Sequence, residues 1–391
     1  MNIAIIISSL TGGGAERIAQ IVGNYYVDQG DTVYYFILNR QITQDYAVKG
    51  KIIYADIDLN AGRSHTQKMI RLLLSSLKIR VLKFKYKIDA AVSFMEDANY
   101  LNVLSKGREL VITRVCHTLS AYETLYPKSF YYKKNIVSFF YKKADKVIVL
   151  SDDGYHEMRS RYGIPGSRLI KIPNISNGIT NVNDGREWGY GDKVLICAGR
   201  LFFIKQQERI IRAFSYAHQK EPDATLIILG KGPQLRYLKH LCRKCAVQDH
   251  VLFLGFTDEP TWYFSHARAY VIASKTEGFS NAMVEAMGCG TPVITTDSPG
   301  SCGEIVGKPK GMGKANTMML CRYGILTPDM PMDQLNEKSP LCEEETLLGE
   351  AMLAILTNED LYQKYRKASL NRAEMFCFDK VIKKWNIILK D

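Results

Sequence analysis

Two carboxylates flank a small-residue turn in the stretch Lys275-Thr276-Glu277-Gly278-Phe279-Ser280-Asn281-Ala282-Met283-Val284-Glu285, which continues as Ala286-Met287-Gly288-Cys289-Gly290-Thr291-Pro292-Val293-Ile294. Glu277 reads as a loop residue. Glu285, with seven residues between them, falls about one turn into a helix. Gly278, Ser280 and Asn281 open that helix, where free backbone N–H groups and the helix dipole attract an anion such as phosphate. Glu285, facing the same mouth, suits hydrogen bonds from a ribose diol. An ordinary capped helix followed by a glycine turn and a strand shares the local features, but not the whole string.

Cations stand where a diphosphate would need them. Gly199-Arg200-Leu201 ends a strand and Lys205 opens the next helix. Arginine can fork two phosphate oxygens, and lysine acts as a point charge. Solvated charges at a strand end are the plainer account. Thr11-Gly12-Gly13-Gly14-Ala15-Glu16-Arg17 follows the first strand and opens a helix, so its backbone can approach a ligand closely. The third glycine of a dinucleotide fingerprint is missing, and a bare tight turn explains the segment equally well. His117 follows Arg114 at the end of a strand, a position that points towards a cleft; a packing or surface histidine is the alternative. Gly230-Lys231-Gly232-Pro233 ends another strand, and a simple turn with Pro at the first helical position explains it almost as well.

The elements that must hold these residues follow from length and pattern. The chain has 391 residues, 46% hydrophobic and 24% charged, which suits two folded domains and excludes wholesale disorder. Apolar strand-like runs alternate with amphipathic stretches, the mark of parallel α/β units. In the first half the strands fall at 3–8, 32–38, 90–94, 110–115 and 146–151, with helices at 15–29, 67–84, 131–143 and 152–162. Residues 163–192, rich in Gly, Pro and Asn, read as a linker. The pattern restarts with strands at 194–198, 225–230, 251–256, 269–273 and 292–295 and helices at 206–218, 234–245, 259–266 and 282–288. Residues 307–342 break the rhythm and read as a mobile insertion; 347–391 is helical in periodicity. The fold class is α/β with two doubly wound domains, 1–175 and 190–373. Ligands in such sheets bind outside the carboxyl ends of the strands.

Taken together, the 275–294 string, Gly199-Arg200-Leu201 with Lys205, Gly230-Lys231-Gly232-Pro233, Gly255-Phe256 and the early glycine turn resemble the retaining GT-B glycosyltransferases, specifically glycosyltransferase family 4. The resemblance covers most of the chain. It implies two Rossmann-like domains facing across a cleft, with a nucleotide-sugar donor held mainly by the second. It implies that the terminal helix, 374–391, crosses back to the first domain. It implies that Arg200 and Lys205 contact the donor diphosphate, that Glu277 binds sugar hydroxyls and Glu285 the ribose, and that Phe279, Ser280 and Asn281 complete the donor turn. Gly13 and Gly14 would face the donor's phosphate and sugar and the acceptor, Gly230 and Gly232 the nucleotide, and His117 the donor sugar or a proton. Strand 251–256 would line the base. No cofactor and no metal is implied. Glu304-Ile305-Val306 matches a family stretch without an evident role.

The net charge of +12 sits mostly in the first half, where 25 Lys and Arg face 15 acids; the rest has 27 against 25. Leu59–Ile88 has no acid but carries Arg63, Lys68, Arg71, Lys78, Arg80, Lys83, Lys85 and Lys87 among apolar Met69, Ile70, Leu73, Leu74, Leu77, Val81 and Phe84. Thr124–Ala144 is also acid-free, with Lys128, Lys133, Lys134, Lys142 and Lys143 beside seven aromatics. Basic and aromatic residues on amphipathic helices suit an anionic membrane surface; ordinary core helices with solvated lysines are the alternative. Nucleic acid is not expected, since no recognition motif accompanies the charge. The N-terminus lacks a basic leader, no apolar run reaches bilayer length, and nine scattered cysteines suit a reducing cytosol. Asp56-Ile57-Asp58 has the spacing of a metal-binding pair but lies far from the donor motifs, and Cys242-Arg243-Lys244-Cys245 lacks the second pair of a zinc site.

The expected function is therefore a retaining transferase moving a hexose or N-acetylhexosamine from a UDP-sugar to a saccharide, a polyprenyl-diphosphate-linked saccharide or a growing surface glycan. It would be a cytoplasmic enzyme, peripheral on the inner face of the cell membrane. The alternatives are a nicotinamide-dependent oxidoreductase, which the missing glycine disfavours, and a non-catalytic membrane-associated protein of the same fold, which the intact Arg200, Lys205, Glu277 and Glu285 disfavour.

Overall fold

The computed structural model describes residues 1–40, 46–57, 65–180, 182, 185–331, 335 and 339–390. The chain divides into two compact units. One comprises Met1–Ile175 together with Ile382–Asp391, and the other Ser176–Val381.

The first unit runs β1 (Asn2–Ile7), α1 (Gly14–Asp28), β2 (Thr32–Ile37), β3 (Lys51–Tyr54), α2 (His65–Lys85), β4 (Ala90–Phe94), α3 (Glu96–Leu104), β5 (Leu110–Arg114), α4 (Leu119–Leu125), α5 (Lys134–Tyr141), β6 (Lys146–Val149), α6 (Asp152–His156) and β7 (Leu169–Lys171). Its seven strands are all parallel, in the order β3-β2-β1-β4-β5-β6-β7. Ile3 to Ile7 are all buried. A central parallel strand covered on both faces needs such an unbroken apolar run.

The second unit runs β8 (Val194–Ala198), α7 (Gln207–Lys220), β9 (Thr225–Leu229), α8 (Leu235–Lys244), β10 (Val251–Gly255), α9 (Pro260–His266), β11 (Ala269–Ile272), α10 (Asn281–Gly288), β12 (Val293–Thr296), α11 (Cys302–Val306), β13 (Met319–Leu320), β14 (Ile325–Thr327), α12 (Glu343–Thr357) and α13 (Glu359–Ala373). The sheet order is β10-β9-β8-β11-β12-β14-β13, parallel except for β13 against β14. The last helix, α14 (Phe378–Leu389), starts in the second unit and ends in the first. There Trp385 is fully buried, its ring stacked 6.4 Å from Phe94, and Tyr26 donates to Asn386 Oδ1 at 3.0 Å.

Several expectations are corrected. The supposed linker contains β7, which extends the first sheet by pairing with β6. The supposed insertion at 307–342 contains β13 and β14, with β14 in register with β12 from Ile294 to Thr296. Each is only two or three residues long, too short for periodicity to show. α3 also escapes the sequence pattern because its buried face carries Asn99 and Asn102, both fully buried and hydrogen-bonded. The helix expected at 131–143 shortens to α5, and that at 152–162 ends at His156 in a π turn through Arg161.

α2 is not the ordinary core helix that its composition allows. Leu72, Ser76, Ile79 and Lys83 face inward, while Ile70, Leu73, Leu74, Leu77, Val81 and Phe84 are exposed, Phe84 by 87%. Lys83 therefore does not belong to the basic surface. Its ammonium donates to Glu109 Oε1 at 2.8 Å and to Asn102 Oδ1 at 2.7 Å. Burial pulls its pKa down to about 8 against the upward pull of Glu109. Arg63 and Asp58 lie outside the described residues; Asp56 forms an ion pair with Arg40 at 3.3 Å.

Candidate donor site

In the second unit, three strand-end turns interlock at the carboxyl edge of the sheet. A Cβ on Gly230 would sit 1.9 Å from the Gly199 carbonyl oxygen, and one on Gly232 would sit 2.2 Å from that of Leu201. Both obstacles are backbone, so only glycine fits. Gly230 N–H donates to the Gly255 carbonyl at 2.7 Å, which ties the end of β9 to the end of β10. Leu201 N–H donates to the Lys231 carbonyl at 2.9 Å, which ties the β8 turn to the β9 turn. The glycines at 230 and 232 thus serve close backbone packing that positions Arg200, itself exposed, at the sheet edge.

The turn carrying Glu277 is fixed with equal care. Lys275 N–H donates to the Ile204 carbonyl at 2.8 Å, Glu277 N–H to Pro299 at 3.1 Å, and Ser301 N–H to Glu277 at 2.9 Å. These bonds clamp the loop between the Phe203–Lys205 turn and the segment after β12. As a result Lys205 Nζ and Glu277 Oε1 form a close ion pair. Ser274 Oγ donates to the same carboxylate oxygen at 2.7 Å. Glu277 is nearly buried and Lys205 about a quarter exposed. A residue expected at the diphosphate and one expected at the sugar are therefore in direct contact. Ser274, which sequence reasoning missed, completes the carboxylate's coordination.

Ser280 caps α10 without a side-chain hydrogen bond, and its N–H donates to Ser301 Oγ at 3.3 Å. Asn281 begins α10 and Glu285 lies one turn along, both half-buried. Phe279 is buried, its ring edge-on against Phe376 5.3 Å away, so the side chain packs the unit.

The remaining expected residues lie in the first unit. Gly13 caps α1 and Gly14 is its first residue. A Cβ on Gly13 would lie 2.1 Å from Glu16 Oε2, so the Glu16 carboxylate folds back over the positive end of α1. His117 is not an open loop side chain. It is buried, its ring 3.9 Å from that of Tyr122, with Nε2 3.2 Å from Glu96 Oε2. Burial lowers its pKa to about 4 despite the nearby Glu157, so the imidazole is neutral at physiological pH. Among the described residues, no cluster of three His, Cys, Asp or Glu side chains is placed to hold a metal ion, and no helix is long and apolar enough to cross a membrane.

Two Rossmann-like sheets with glycine turns at their carboxyl edges define a two-domain GT-B fold. Solved structures agree on the fold. Sucrose-phosphate synthase from Thermosynechococcus elongatus superposes with a TM-score of 0.79 at 17% identity, covering 100% of this chain and 98% of the other. The Anabaena protein HepE, in complex with UDP, gives 0.76 at 17% identity, covering both chains fully. Glycosyltransferase Family 4 matches residues 12–176, and glycosyl transferases group 1 matches residues 184–314. The chain belongs to this group 1, family-4-like class of glycosyltransferases. It is 28% identical to an uncharacterised glycosyltransferase of Methanocaldococcus jannaschii, over 82% of this chain and 84% of the relative. It is 24% identical to an N-acetylgalactosamine-N,N'-diacetylbacillosaminyl-diphospho-undecaprenol 4-alpha-N-acetylgalactosaminyltransferase of Campylobacter jejuni, over 97% and 96%. These matches favour glycosyl transfer over the nicotinamide-dependent alternative.

Proposed function

We propose that the protein is a retaining, metal-independent transferase that moves a hexose or N-acetylhexosamine from a UDP-sugar. The acceptor is a polyprenyl-diphosphate-linked saccharide or a growing surface glycan. The Lys205–Glu277 pair at the interlocked glycine turns carries this reading, because it sets a cation suited to phosphate beside a carboxylate suited to accepting hydrogen bonds from hydroxyls. The Campylobacter relative, whose acceptor is a diphospho-undecaprenol saccharide, supports the acceptor class.

In this reading Arg200, Lys205 and the N–H groups in the first turn of α10 hold the diphosphate, Glu285 the ribose and Glu277 the sugar hydroxyls. The anomeric carbon–oxygen bond breaks with its electron pair going to the nucleoside diphosphate. The acceptor oxygen bonds to that carbon on the same face, and its proton passes to the departing phosphate. Preorganised cations stabilise the charge that develops on the leaving group. The first unit receives the acceptor, with His117 and the Gly13–Gly14 turn near the sugar.

The enzyme works on the cytoplasmic side, docked on anionic lipid. The exposed stripe of α2 supports this, since Ile70, Leu73, Leu74, Leu77, Val81 and Phe84 are flanked by exposed Arg71, Lys78, Arg80 and Lys85. The deciding experiment screens UDP- and GDP-sugars against lipid-linked saccharides and determines the anomeric configuration of the product. Retained configuration with a UDP-hexose or UDP-N-acetylhexosamine is expected; inversion, or transfer only with added metal, overturns the mechanism.

A further inference from the structure

Glu96 has no place in the donor chemistry, yet its setting is unusual. The carboxylate is 3% exposed, and among the described residues no lysine or arginine pairs with it. Burying an acid without a cation is costly, and a glutamine of the same shape would avoid the charge. The backbone pays a second penalty at the same point. Met95, the single residue between β4 and α3, has φ 73° and ψ 160°, a region that glycine alone enters without strain. Such a strained residue tends to persist where its neighbours are needed in place. Here the strain turns the chain so sharply that Glu96 becomes the first residue of α3, beside the loop after β5.

What Glu96 meets there is His117, at 3.2 Å from Oε2 to Nε2. The approach falls short of an aligned hydrogen bond, so Nε2 has no settled partner. The rest of the neighbourhood is rigid. Tyr141 donates to Glu96 Oε1 at 3.3 Å and accepts from Asn99 Nδ2 at 2.8 Å, while Asn99 Oδ1 accepts from Ser93 Oγ at 2.8 Å. Behind His117, Glu157 accepts from Leu119 N–H at 3.0 Å and Ser120 N–H at 2.8 Å, which pins the start of α4. Tyr122 covers the imidazole face.

We propose that Glu96 is a positioning residue for His117: by facing Nε2 it selects the imidazole tautomer, and so decides whether Nδ1 accepts or donates a hydrogen bond at the transferred sugar. The sugar part rests on the glycosyl-transfer reading above. An ionised Glu96 takes the Nε2 proton in a hydrogen bond and leaves the Nδ1 lone pair as acceptor. A protonated Glu96 donates to Nε2 and makes Nδ1–H the donor. Burial raises the Glu96 pKa to about 7 and holds the imidazole neutral, so the pair releases one proton across the neutral range: below the midpoint the carboxyl and Nδ1 each hold one, and above it only Nε2 does. The other ionisable groups around Glu96 are Asp97, Tyr100, Cys116, Tyr132 and Tyr141; burial pushes the thiol and the three phenols up, so these four stay neutral there.

The test follows the ring nitrogens of His117 by NMR in the intact chain, without substrate, from just above the imidazole's own titration, which burial holds at about 4, up to alkaline pH. In the wild type the protonated nitrogen should change from Nδ1 to Nε2 with a midpoint about 7, the ring remaining neutral. In Glu96→Gln the pattern should not change with pH. A wild-type tautomer that is constant with pH, or a transition that survives in Glu96→Gln, overturns the proposal. In transfer assays Glu96→Gln should lower kcat on the order of 10- to 100-fold with donor KM little changed. It should have no further effect in a His117→Asn background, and independent losses in the double variant also overturn the proposal. A wild type that transfers from no nucleotide sugar would sink the glycosyl-transfer reading alone, because the ring spectra decide the positioning role without turnover.

Discussion

At Lys205 the ammonium pairs with the Glu277 carboxylate, so under the proposed function a diphosphate would have to share that cation with a carboxylate. Removing a preorganised charge-stabilising group typically slows an enzyme on the order of 10²–10³-fold. Arg200→Ala and Lys205→Ala should each lower kcat in that range in a steady-state transfer assay, and wild-type turnover by both would refute the phosphate role. The buried Glu96–His117 pair makes a separate prediction about stability. His117 titrates at about 4 in the fold against 6.5 when free, so between those values the unfolded chain binds more protons and stability rises with pH. Glu96 titrates at about 7 against 4.5, so in that window the folded chain binds more protons and stability falls as pH rises. The two slopes oppose each other. Glu96→Gln should expose the rise and His117→Asn the fall, read from urea midpoints at pH 5, 6 and 7; identical pH profiles in all three proteins would contradict both shifts.

Among the elements, α2 has the most unusual division of faces. A helix of a soluble domain normally turns its apolar stripe inward. Here a lysine and a serine share the inner face with Leu72 and Ile79, and six large apolar side chains face outward. The interior side depends on the Lys83–Glu109 pair. Lys83→Met leaves Glu109 buried and unpaired, which should cost about 3–5 kcal/mol by chemical denaturation. Adding Glu109→Leu should recover much of that loss; no recovery would mean that Lys83 acts through packing of its stem. The outward side predicts that Leu74→Ser with Phe84→Ser reduces sedimentation with anionic vesicles, and that Lys78→Gln with Arg80→Gln reduces its salt sensitivity. Unchanged vesicle binding in both variants would remove the membrane reading.

At the scale of the whole molecule, Arg200, Lys205, Glu277 and Glu285 all belong to the second unit, and Gly13, Gly14 and His117 to the first. UDP should therefore raise the melting temperature through the second unit, with a shift that grows with the logarithm of its concentration. Arg200→Ala should diminish the shift, and EDTA should leave both it and turnover intact. Activity lost to EDTA and restored by Mn²⁺ would return attention to Asp56 and its neighbours.

Much of this was legible in the residues themselves. Two doubly wound sheets follow from the repeated alternation of apolar strands with amphipathic helices, because a central parallel strand such as Ile3–Ile7 can be nothing but apolar. That Ser280, Asn281 and Glu285 share the first turns of α10, with Glu277 in the loop before it, was legible because they lie close together in the chain, so local spacing alone places them there. What lay beyond reach depended on contacts between segments distant in sequence. The short strands 169–171, 319–320 and 325–327 exist only because a neighbouring strand offers them a ladder. Lys205 lies 72 residues from Glu277, and their pairing appears only once Ile204 and Pro299 hold the loop between them. Lys83 counts as surface charge until Glu109 and Asn102 are found beneath it. Glu96 is invisible as a partner of His117 until one strained residue aims it there. Pattern determined the two doubly wound sheets, and the 275–294 string carried the resemblance to the family, since these rest on local periodicity and on residues adjacent in the chain. Tertiary packing alone decided which charges are buried and which are paired, because burial and Coulombic partners depend on distance through space, not along the chain.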